Sequence, residues 1–263
     1  MIVPTPRGEL NVRELGGDGG DPVLLLHPLA SSGEIWRPVG EELGRSGRTV
    51  LALDARGHGD SAWDGGPFTV EDMADDAAAV LDALGLGPVG VVGMSMGGCT
   101  ALALALRRPD LVSRLVLADT TASYGPDRVA SWEQRAVQAE SSPREALLDF
   151  QLTRWFSDDF RAADPAECDR VAGIFVGTTA QAHAAACRAL GAFDVTDRLP
   201  EITAEALVLV GEEDYATPPA MAEALAAGLP KADLRVLPRT RHLSMVENRD
   251  TWRAAGTHLE AAR

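Results

Sequence analysis

Short apolar runs rich in β-branched residues alternate along this chain with longer stretches whose apolar positions recur at helical spacing. Continuous apolar runs of this length are typical of strands that are buried on both faces of a parallel sheet. The predicted strands cover residues 8–15, 22–27, 49–53, 89–92, 115–118, 206–211 and 234–237. The predicted helices cover residues 34–45, 70–84, 99–106 and 247–262. This order of elements predicts an α/β fold.

Two local sequence signals near the N-terminus predict a hairpin and a helix cap. The strand 8–15 is expected to open a hairpin through the glycine-rich turn 16–21. Thr69 precedes two acidic residues and an apolar-periodic stretch, so we expect it to cap the helix 70–84.

The alternation of strand and helix stops between about Tyr124 and Thr196, where several helical stretches follow one another. A helical insert of this size, after the sixth strand of such a fold, predicts a cap that overhangs the active site. We therefore expect a core formed by residues 1–123 and 197–263, with a helical cap formed by residues 124–196.

Composition and charge narrow the function classes. The 263 residues suit one large α/β domain, and the net charge of −15 argues against nucleic acid or an anionic membrane as a partner. No apolar run approaches the ~18–20 residues that span a bilayer, and the first residues lack the pattern of a signal peptide. Cys99, Cys168 and Cys187 have neither zinc-ligand nor disulfide-framework spacing, so we expect no metal site and a cytoplasmic location. The sequence leaves open whether the chain forms a homo-oligomer.

The segment Gly93-Met94-Ser95-Met96-Gly97-Gly98 lies between a predicted strand and a predicted helix. A strand, a G-x-S-x-G turn and a helix form a nucleophile elbow, in which the glycines leave room for a sharp turn. This geometry exposes the Ser95 hydroxyl at the edge of the sheet and aims the first amides of the helix at a developing oxyanion. Ser95 is therefore the candidate nucleophile.

An acid and a histidine follow in the chain order expected after such an elbow. Asp214 comes after the strand 206–211, and His242 comes after the strand 234–237. We predict that His242 accepts the proton of Ser95 and that Asp214 orients the imidazole.

Competing residues are few. Asp119, at the end of the strand 115–118, is the alternative acid, and Glu212 and Glu213 are adjacent to Asp214. Of the five histidines, His183 and His258 lie in helical patterns and are expected to be packed or solvated. His58 lies in a glycine-rich loop, which it is expected to brace.

Stabilising an oxyanion takes two backbone amides. Met96, directly after the nucleophile, is the first predicted donor. The second should come from the loop 27–33, where Leu29 is the candidate because Pro28 has no N–H. His27 is expected to brace this loop by hydrogen bonds.

Four segments, 27–29, 54–61, 93–98 and 242–247, resemble those of α/β-hydrolases. More narrowly, the chain resembles 3-oxoadipate enol-lactonases, which open a small unsaturated lactone, in its segments 154–156, 187–190 with Asp194, and 242–244. Met245 departs from that pattern, in which a polar residue is expected. The resemblance covers nearly the whole chain and implies an α/β-hydrolase fold, with a mostly parallel eight-stranded sheet flanked by helices and a helical cap. The activity it implies is hydrolysis of a small ester or lactone through an acyl-serine intermediate.

The same scaffold also serves carbon–carbon bond hydrolases and natural-product tailoring enzymes such as cyclases, and these stay as alternatives. A binding module with a vestigial triad is disfavoured because all three residues are intact. The sequence contains no phosphate-binding G-x-x-x-x-G-K-[ST] motif, so we expect no cofactor.

Aromatic and basic residues of the predicted cap are the candidates for substrate binding. Trp132, Trp155 and Phe156 are expected to form the roof of the pocket. In so acidic a chain, a carboxylate-bearing substrate needs a local cation, and guanidinium offers a bidentate fork. We expect Arg154, or with less support Arg188, to hold an anionic small molecule. The alternative is that both arginines are solvated or paired with carboxylates.

Overall fold

The computed structural model describes residues 1–17 and 19–260, in which one eight-stranded sheet carries the other elements. The strands are β1 (Ile2–Thr5), β2 (Gly8–Gly16), β3 (Gly20–Leu26), β4 (Arg48–Leu53), β5 (Val89–Met94), β6 (Val112–Ala118), β7 (Glu205–Gly211) and β8 (Ala232–Leu237). Their order across the sheet is β1-β2-β4-β3-β5-β6-β7-β8. The strands from β3 to β8 pair in parallel, whereas β2 runs antiparallel to both of its neighbours. The predicted mostly parallel eight-stranded sheet is confirmed.

The hairpin that contains β2 differs from the expectation. β2 pairs with β1, with Thr5 opposite Gly8, and its other edge pairs with β4. Because β4 lies between β2 and β3, the expected hairpin through the turn 16–21 is wrong. The apolar runs of β3 and β4 pair with each other instead, with Leu24 opposite Leu51, which places both inside the sheet. Asp18, within the turn, lies outside the described residues.

Helices flank the sheet; the four with predicted bounds differ from the prediction mainly at their ends, and α9 was not predicted. The helices are α1 (Arg37–Arg45), α2 (Val70–Ala83), α3 (Met96–Arg107), α4 (Arg128–Ser141), α5 (Leu148–Trp155), α6 (Asp158–Ala163), α7 (Pro165–Gly177), α8 (Ala180–Ala192), α9 (Pro219–Gly228), α10 (Ser244–Glu247) and α11 (Asp250–Glu260). The predicted helix 34–45 begins as a 3-10 turn, and α3 begins three residues before the expected position 99. The predicted helix 247–262 is divided between α10 and α11, and residues 261–262 lie outside the described residues.

Thr69 caps α2 as predicted. Its Oγ1 accepts a hydrogen bond from the Asp72 N–H at 3.0 Å, and the Asp72 carboxylate accepts one from the Thr69 N–H at 3.0 Å. This reciprocal pair satisfies two amides at the helix N-terminus, so the helix begins where the sequence indicates.

The core lies on both faces of the sheet. Along β3, Val23 and Leu25 belong to one cluster of buried apolar side chains, whereas Leu24 and Leu26 belong to the other. This division follows from the strand geometry, since successive side chains point to opposite faces. The continuous apolar run of β3 therefore has both faces covered, as a central parallel strand requires.

The helices α4 to α8 lie between β6 and β7 in the chain, and we call this stretch, 128–192, the insertion. Its helices α4 and α8 pack closely because α8 consists mostly of alanine and other small residues. A Cβ on Gly191 would lie 2.8 Å from the Cβ of Trp132 in α4, so only glycine allows this approach. Where the chain leaves and re-enters the core, the Val195 N–H donates to the carbonyl oxygen of Ala122 at 3.0 Å. This hydrogen bond joins the segment that enters the insertion to the segment that leaves it.

Candidate active site

Ser95 occupies the sharp turn between β5 and α3. Its φ of 54° and ψ of −116° lie outside the regions that side-chain-bearing residues prefer. Hydrogen bonds hold this conformation: the Ser95 N–H donates to the carbonyl oxygen of Ala118 at 2.9 Å, and the Ser95 carbonyl oxygen accepts from Thr120 Oγ1 at 2.8 Å. The strand, turn and helix of the predicted elbow are all present.

Glycines allow the elbow to form. A Cβ on Gly93 would lie 2.3 Å from the carbonyl oxygen of Gly97, and a Cβ on Gly97 would lie 2.0 Å from the carbonyl oxygen of Leu26. Both distances are far below van der Waals contact, and the blocking atoms belong to the backbone. Strand and helix therefore approach this closely only because these two positions carry no side chain.

His242 bridges Ser95 and Asp214. Its Nε2 lies 3.0 Å from Ser95 Oγ, and its Nδ1 lies 2.8 Å from Asp214 Oδ2. An ionised carboxylate can only accept, so Nδ1 carries the proton and Nε2 presents its lone pair to the serine hydroxyl. A general base needs this tautomer to take the serine proton. The structure thus brings together the three residues that were predicted as nucleophile, base and acid.

Asp214 is held by three further hydrogen bonds. Its Oδ1 accepts from the N–H groups of Ala216 at 2.7 Å and Thr217 at 3.0 Å, and its Oδ2 accepts from Thr217 Oγ1 at 2.8 Å. Burial works to raise the pKa of Asp214, but His242 and the Thr217 hydrogen bonds together lower it below the ordinary value. The carboxylate therefore stays ionised and keeps the imidazole oriented.

Asp119, the alternative acid, has different partners. Its carboxylate accepts from the Gly211 N–H at 3.2 Å and from the Ser244 N–H at 2.9 Å. Burial and the nearby charge of Asp214 raise the pKa of Asp119 well above its ordinary value. Asp119 therefore braces the two segments that lead to Asp214 and His242, while Asp214 makes the bond to the imidazole.

Met96 and Leu29, the two residues whose amides are predicted to stabilise an oxyanion, both lie next to the nucleophile's cavity or turn. Met96 is the first residue of α3, so its N–H precedes the intrahelical hydrogen bonds. Leu29 lies in the wall of the same cavity as Ser95. His27 braces the Leu29 loop as predicted, since its Nδ1 donates to the carbonyl oxygen of Pro28 at 2.8 Å and its Nε2 accepts from the Ala55 N–H at 3.0 Å.

A cavity of about 240 Å³ contains Ser95 and His242 in its wall. The core supplies one part of the wall: Pro28, Leu29, Ala30, Ser95, Ala216, Thr217 and His242, with Tyr124 from the segment that leads into the insertion. The insertion supplies the other part: Trp132, Arg135, Gln138, Ala139, Ala146, Leu147, Phe150, Gln151, Arg154, Trp155, Phe175 and His183. The predicted contacts of Trp132, Arg154 and Trp155 with this space agree with the structure.

Phe156 and Arg188 need correction, because neither lines this cavity. Helix α5 ends at Trp155, and the extended backbone of Phe156 directs its ring into the core, 5.1 Å from the ring of Phe160. Arg188 lies on the exposed side of α8, about 140° around the helix from His183, given about 100° per residue. It pairs with Glu133 at 2.9 Å and Glu140 at 2.8 Å.

Sequence reasoning missed several residues of the cavity wall, and helical spacing could have found them. Arg135 and Gln138 follow Trp132 at steps of three residues along α4, and Gln151 precedes Arg154 by three residues along α5. Residues at this spacing share one face of a helix. His183, expected to be packed or solvated, is 6% exposed and also lines the cavity.

The cavity is positively charged in an acidic protein. Arg135 and Arg154 line it, and within residues 1–17 and 19–260 no aspartate or glutamate does. Neither guanidinium has an ion-pair partner among the described residues; that of Arg135 lies 4.5 Å from the ring centre of Trp132. Burial, followed by the charge of Arg135, lowers the pKa of Arg154 to about 10. Arg154 remains a cation at neutral pH with no counter-charge of its own.

The loop that carries His242 is hydrogen-bonded to the C-terminal end of α5. The Leu243 N–H donates to the carbonyl oxygen of Trp155 at 3.1 Å. Arg241 donates to the carbonyl oxygens of Thr153 at 2.7 Å and Phe156 at 3.1 Å, which satisfies carbonyl groups at the helix C-terminus. The position of Trp155 in the wall is thereby coupled to the position of His242.

The described part of the chain contains neither a cluster of metal-ligand side chains nor a membrane-spanning helix. No group of three or more histidine, cysteine, aspartate or glutamate side chains there is arranged to hold a metal ion. None of the helices in that part has the length and apolar character needed to cross a bilayer.

The family model of the alpha/beta hydrolase fold matches residues 21–249 of the chain. The chain belongs to the α/β-hydrolase family. It is 30% identical over 198 residues to the 3-oxoadipate enol-lactonase 2 of Acinetobacter baylyi, which covers 75% of this chain and 73% of that one. It is 33% identical over 224 residues to a protein of Caulobacter segnis named as a carbamate hydrolase, with 82% of each chain covered. The crystal structure of the enol-lactonase from Burkholderia xenovorans LB400 superposes with a TM-score of 0.92 at 31% identity, covering 98% of this chain and 99% of that one.

The match to the Burkholderia enol-lactonase structure covers 98% of this chain and therefore includes the insertion. The protein is accordingly a hydrolase, and the expected resemblance to enol-lactonases is confirmed.

Proposed function

We propose that this protein hydrolyses a small ester or lactone through an acyl intermediate on Ser95. The observation that carries the proposal is the continuous hydrogen-bonded chain Ser95–His242–Asp214 in the wall of a cavity. Serine hydroxyl is a weak nucleophile at neutral pH and needs such a neighbouring base. Similarity to lactonases supports the substrate class.

In this mechanism, Ser95 Oγ attacks the carbonyl carbon while its proton passes to Nε2 of His242. The N–H groups of Leu29 and Met96 donate to the oxyanion, and each such donor is worth a few kcal/mol in the transition state. Collapse breaks the bond to the leaving oxygen, which takes the proton from His242. In a lactone that oxygen stays attached to the acyl chain. Water then attacks the acyl-enzyme, His242 takes its proton and returns it to Ser95 Oγ, and the acid is released.

We propose further that Arg154 holds an anionic group of the substrate. Its guanidinium lies in the wall, is largely buried and has no carboxylate partner among the described residues. Burying an uncompensated cation is costly, whereas a substrate carboxylate supplies the missing charge and matches the guanidinium fork. Residues 124–196 then act as the cap that carries this residue. The cytoplasmic location stays a prediction.

A covalent label and a substitution test the proposal together. Exposing the protein to a fluorophosphonate should add one phosphonyl group on the peptide that contains Ser95, detected by mass spectrometry. Ser95→Ala should lower kcat/KM for p-nitrophenyl butanoate by about 10⁴-fold or more, because the nucleophile is lost while the elbow glycines remain. Ser113→Ala, at an exposed serine of β6 outside the cavity wall, should change neither result.

Retention of most of the esterase activity in Ser95→Ala would overturn the proposal. The carbon–carbon bond hydrolase and tailoring alternatives are separated by substrate. Faster turnover of a dienone acid than of any ester or lactone would favour a carbon–carbon bond hydrolase.

A further inference from the structure

His183 of α8 is a buried polar residue in the cavity wall, and the proposed mechanism does not use it. Its Nδ1 lies 2.5 Å from Nη1 of Arg144. The same guanidinium donates through Nη2 to the carbonyl oxygen of Phe175 at 2.8 Å and lies 3.7 Å from the centre of the Phe175 ring. The carbonyl oxygen and the ring of Phe175 therefore fix the orientation of the Arg144 guanidinium toward His183.

The contact with Arg144 determines where the imidazole carries its proton. A guanidinium has only donors, so Nδ1 of His183 must be the acceptor and the proton must lie on Nε2. Within the described residues, Nε2 of His183 has no hydrogen-bond partner, and it is not fully buried. Since His183 lines the cavity, this free N–H can donate into it.

Charge reinforces this tautomer. Burial and then the positive charge of Arg144 lower the pKa of His183 to about 3. Arg135 and His58 act in the same direction. The ring consequently stays neutral near pH 7, with one donor and no lone pair left for the cavity.

We propose that His183 is a specificity-determining residue whose Nε2–H donates a hydrogen bond to an acceptor oxygen of the substrate, and that Arg144 is the positioning residue that holds this donor. The proposal rests on the proposed hydrolase function and adds a requirement on the substrate. Besides the scissile carbonyl and any anionic group, the substrate carries a neutral or anionic oxygen that can accept from His183. A substrate with a hydrogen-bond donor at this place is rejected, since the imidazole has nothing to accept with.

Two matched pairs of esters test the requirement. The first pair, p-nitrophenyl 4-oxopentanoate and p-nitrophenyl pentanoate, differs by a ketone oxygen in the acyl chain. The second pair, 2-oxobutyl butanoate and butyl butanoate, differs by a ketone oxygen in the alcohol. In wild type, kcat/KM should favour the ketone member of at least one pair. His183→Leu should reduce that preference about 5–10-fold, as expected for one neutral hydrogen bond, mainly through KM. His183→Gln, which keeps an N–H donor, should restore much of it.

The outcomes separate this inference from the proposed function. If wild type hydrolyses both pairs but His183→Leu leaves both ratios unchanged, His183 does not determine specificity. If wild type hydrolyses none of the four esters nor any lactone, the proposed function fails.

The tautomer is testable without turnover, by the ¹⁵N chemical shifts of the imidazole in the uniformly labelled protein. The pair of signals that His183→Gln removes should show an unprotonated Nδ1 and a protonated Nε2. Arg144→Lys should preserve that pattern, and Arg144→Met should let both nitrogens share the proton. A protonated Nδ1 in wild type would overturn the inference whatever the activity.

Discussion

The core supplies one part of the cavity wall, which we call the floor, and the insertion supplies the other, which we call the roof. The two parts are built in different ways. On the floor, Ser95 and His242 line the cavity and Asp214 lies behind His242; each of the three comes directly after a parallel strand or in the loop that follows it. Parallel strands end at the same edge of a sheet, so these residues meet as soon as the sheet forms. The roof consists of helices in the insertion, whose side chains reach the cavity only through the rotation and packing of each helix. Positions on the floor are consequently predictable from local motifs, whereas the side chains of the roof that reach the cavity also depend on how each helix is rotated.

Arg154 and Arg188 show the consequence. Both are arginines on helices of the insertion, and both were candidates for holding an anion. Arg154 faces the cavity without an acidic partner among the described residues, whereas Arg188 is neutralised by two glutamates of α4 at the surface. Their sequence contexts do not distinguish them, because the difference arises from which face of the helix points inward.

The largest effect on activity should come from a substitution on the floor. Asp214→Asn should lower kcat by about 10⁴-fold, because an amide favours the wrong imidazole tautomer. Asp119→Asn should cost far less activity, since Asp119 contacts backbone N–H groups rather than His242. Steady-state kinetics of both variants on the same ester measures which substitution lowers kcat more. A greater loss in Asp119→Asn would mean that the acid lies one strand away from its assigned position.

A smaller effect, confined to charged substrates, is expected from the roof. Arg154→Gln should raise KM about 10–100-fold for the mono-p-nitrophenyl ester of adipate, because a buried charge-assisted pair is lost. It should change KM for p-nitrophenyl pentanoate little. Arg188→Gln is the matched control at the surface and should alter neither value. Equal effects of Arg154→Gln on both esters would show a structural arginine and favour a neutral natural substrate.

The smallest effect concerns stability and compares His58 of the core with His183 of the insertion. Burial and the charge of His27 lower the pKa of His58 to about 3, and burial and Arg144 do the same for His183. The unfolded chain takes up these protons near pH 6.5, whereas the folded chain does not until about pH 3. The contribution of these two histidines to stability is therefore full above about pH 6.5 and falls as the pH is lowered toward 3, by about 1.4 kcal/mol per pH unit for each histidine.

Chemical denaturation between pH 7 and pH 4 measures this slope. His58→Gln and His183→Gln should each reduce the slope by about 1.4 kcal/mol per pH unit if the core and the insertion unfold together. If His183→Gln leaves the slope of the main transition unchanged while His58→Gln reduces it, the insertion unfolds separately from the core.

Much of the fold was accessible from pattern alone because the signals were local. The apolar runs of β3 to β7, the Thr69 cap and the G-x-S-x-G turn each depend on residues that are close in sequence. The errors arose where a partner is distant in the chain. β2 pairs with β1 and β4 rather than β3, which depends on β4 entering the sheet between them.

By itself, the sequence determined the α/β-hydrolase fold, the elbow at Ser95 and the order of acid and base, because steric demands of a sharp turn and of strand ends leave few solutions. It also supplied the aromatic and basic residues of the insertion without their roles. Only the tertiary structure decided that Phe156 packs into the core, that Arg188 is paired and that Arg154 is not. The proton position on His183 likewise depends on Arg144, 39 residues away in the chain. Such choices follow from how helices pack against one another, and helix packing is set by contacts that no short segment contains.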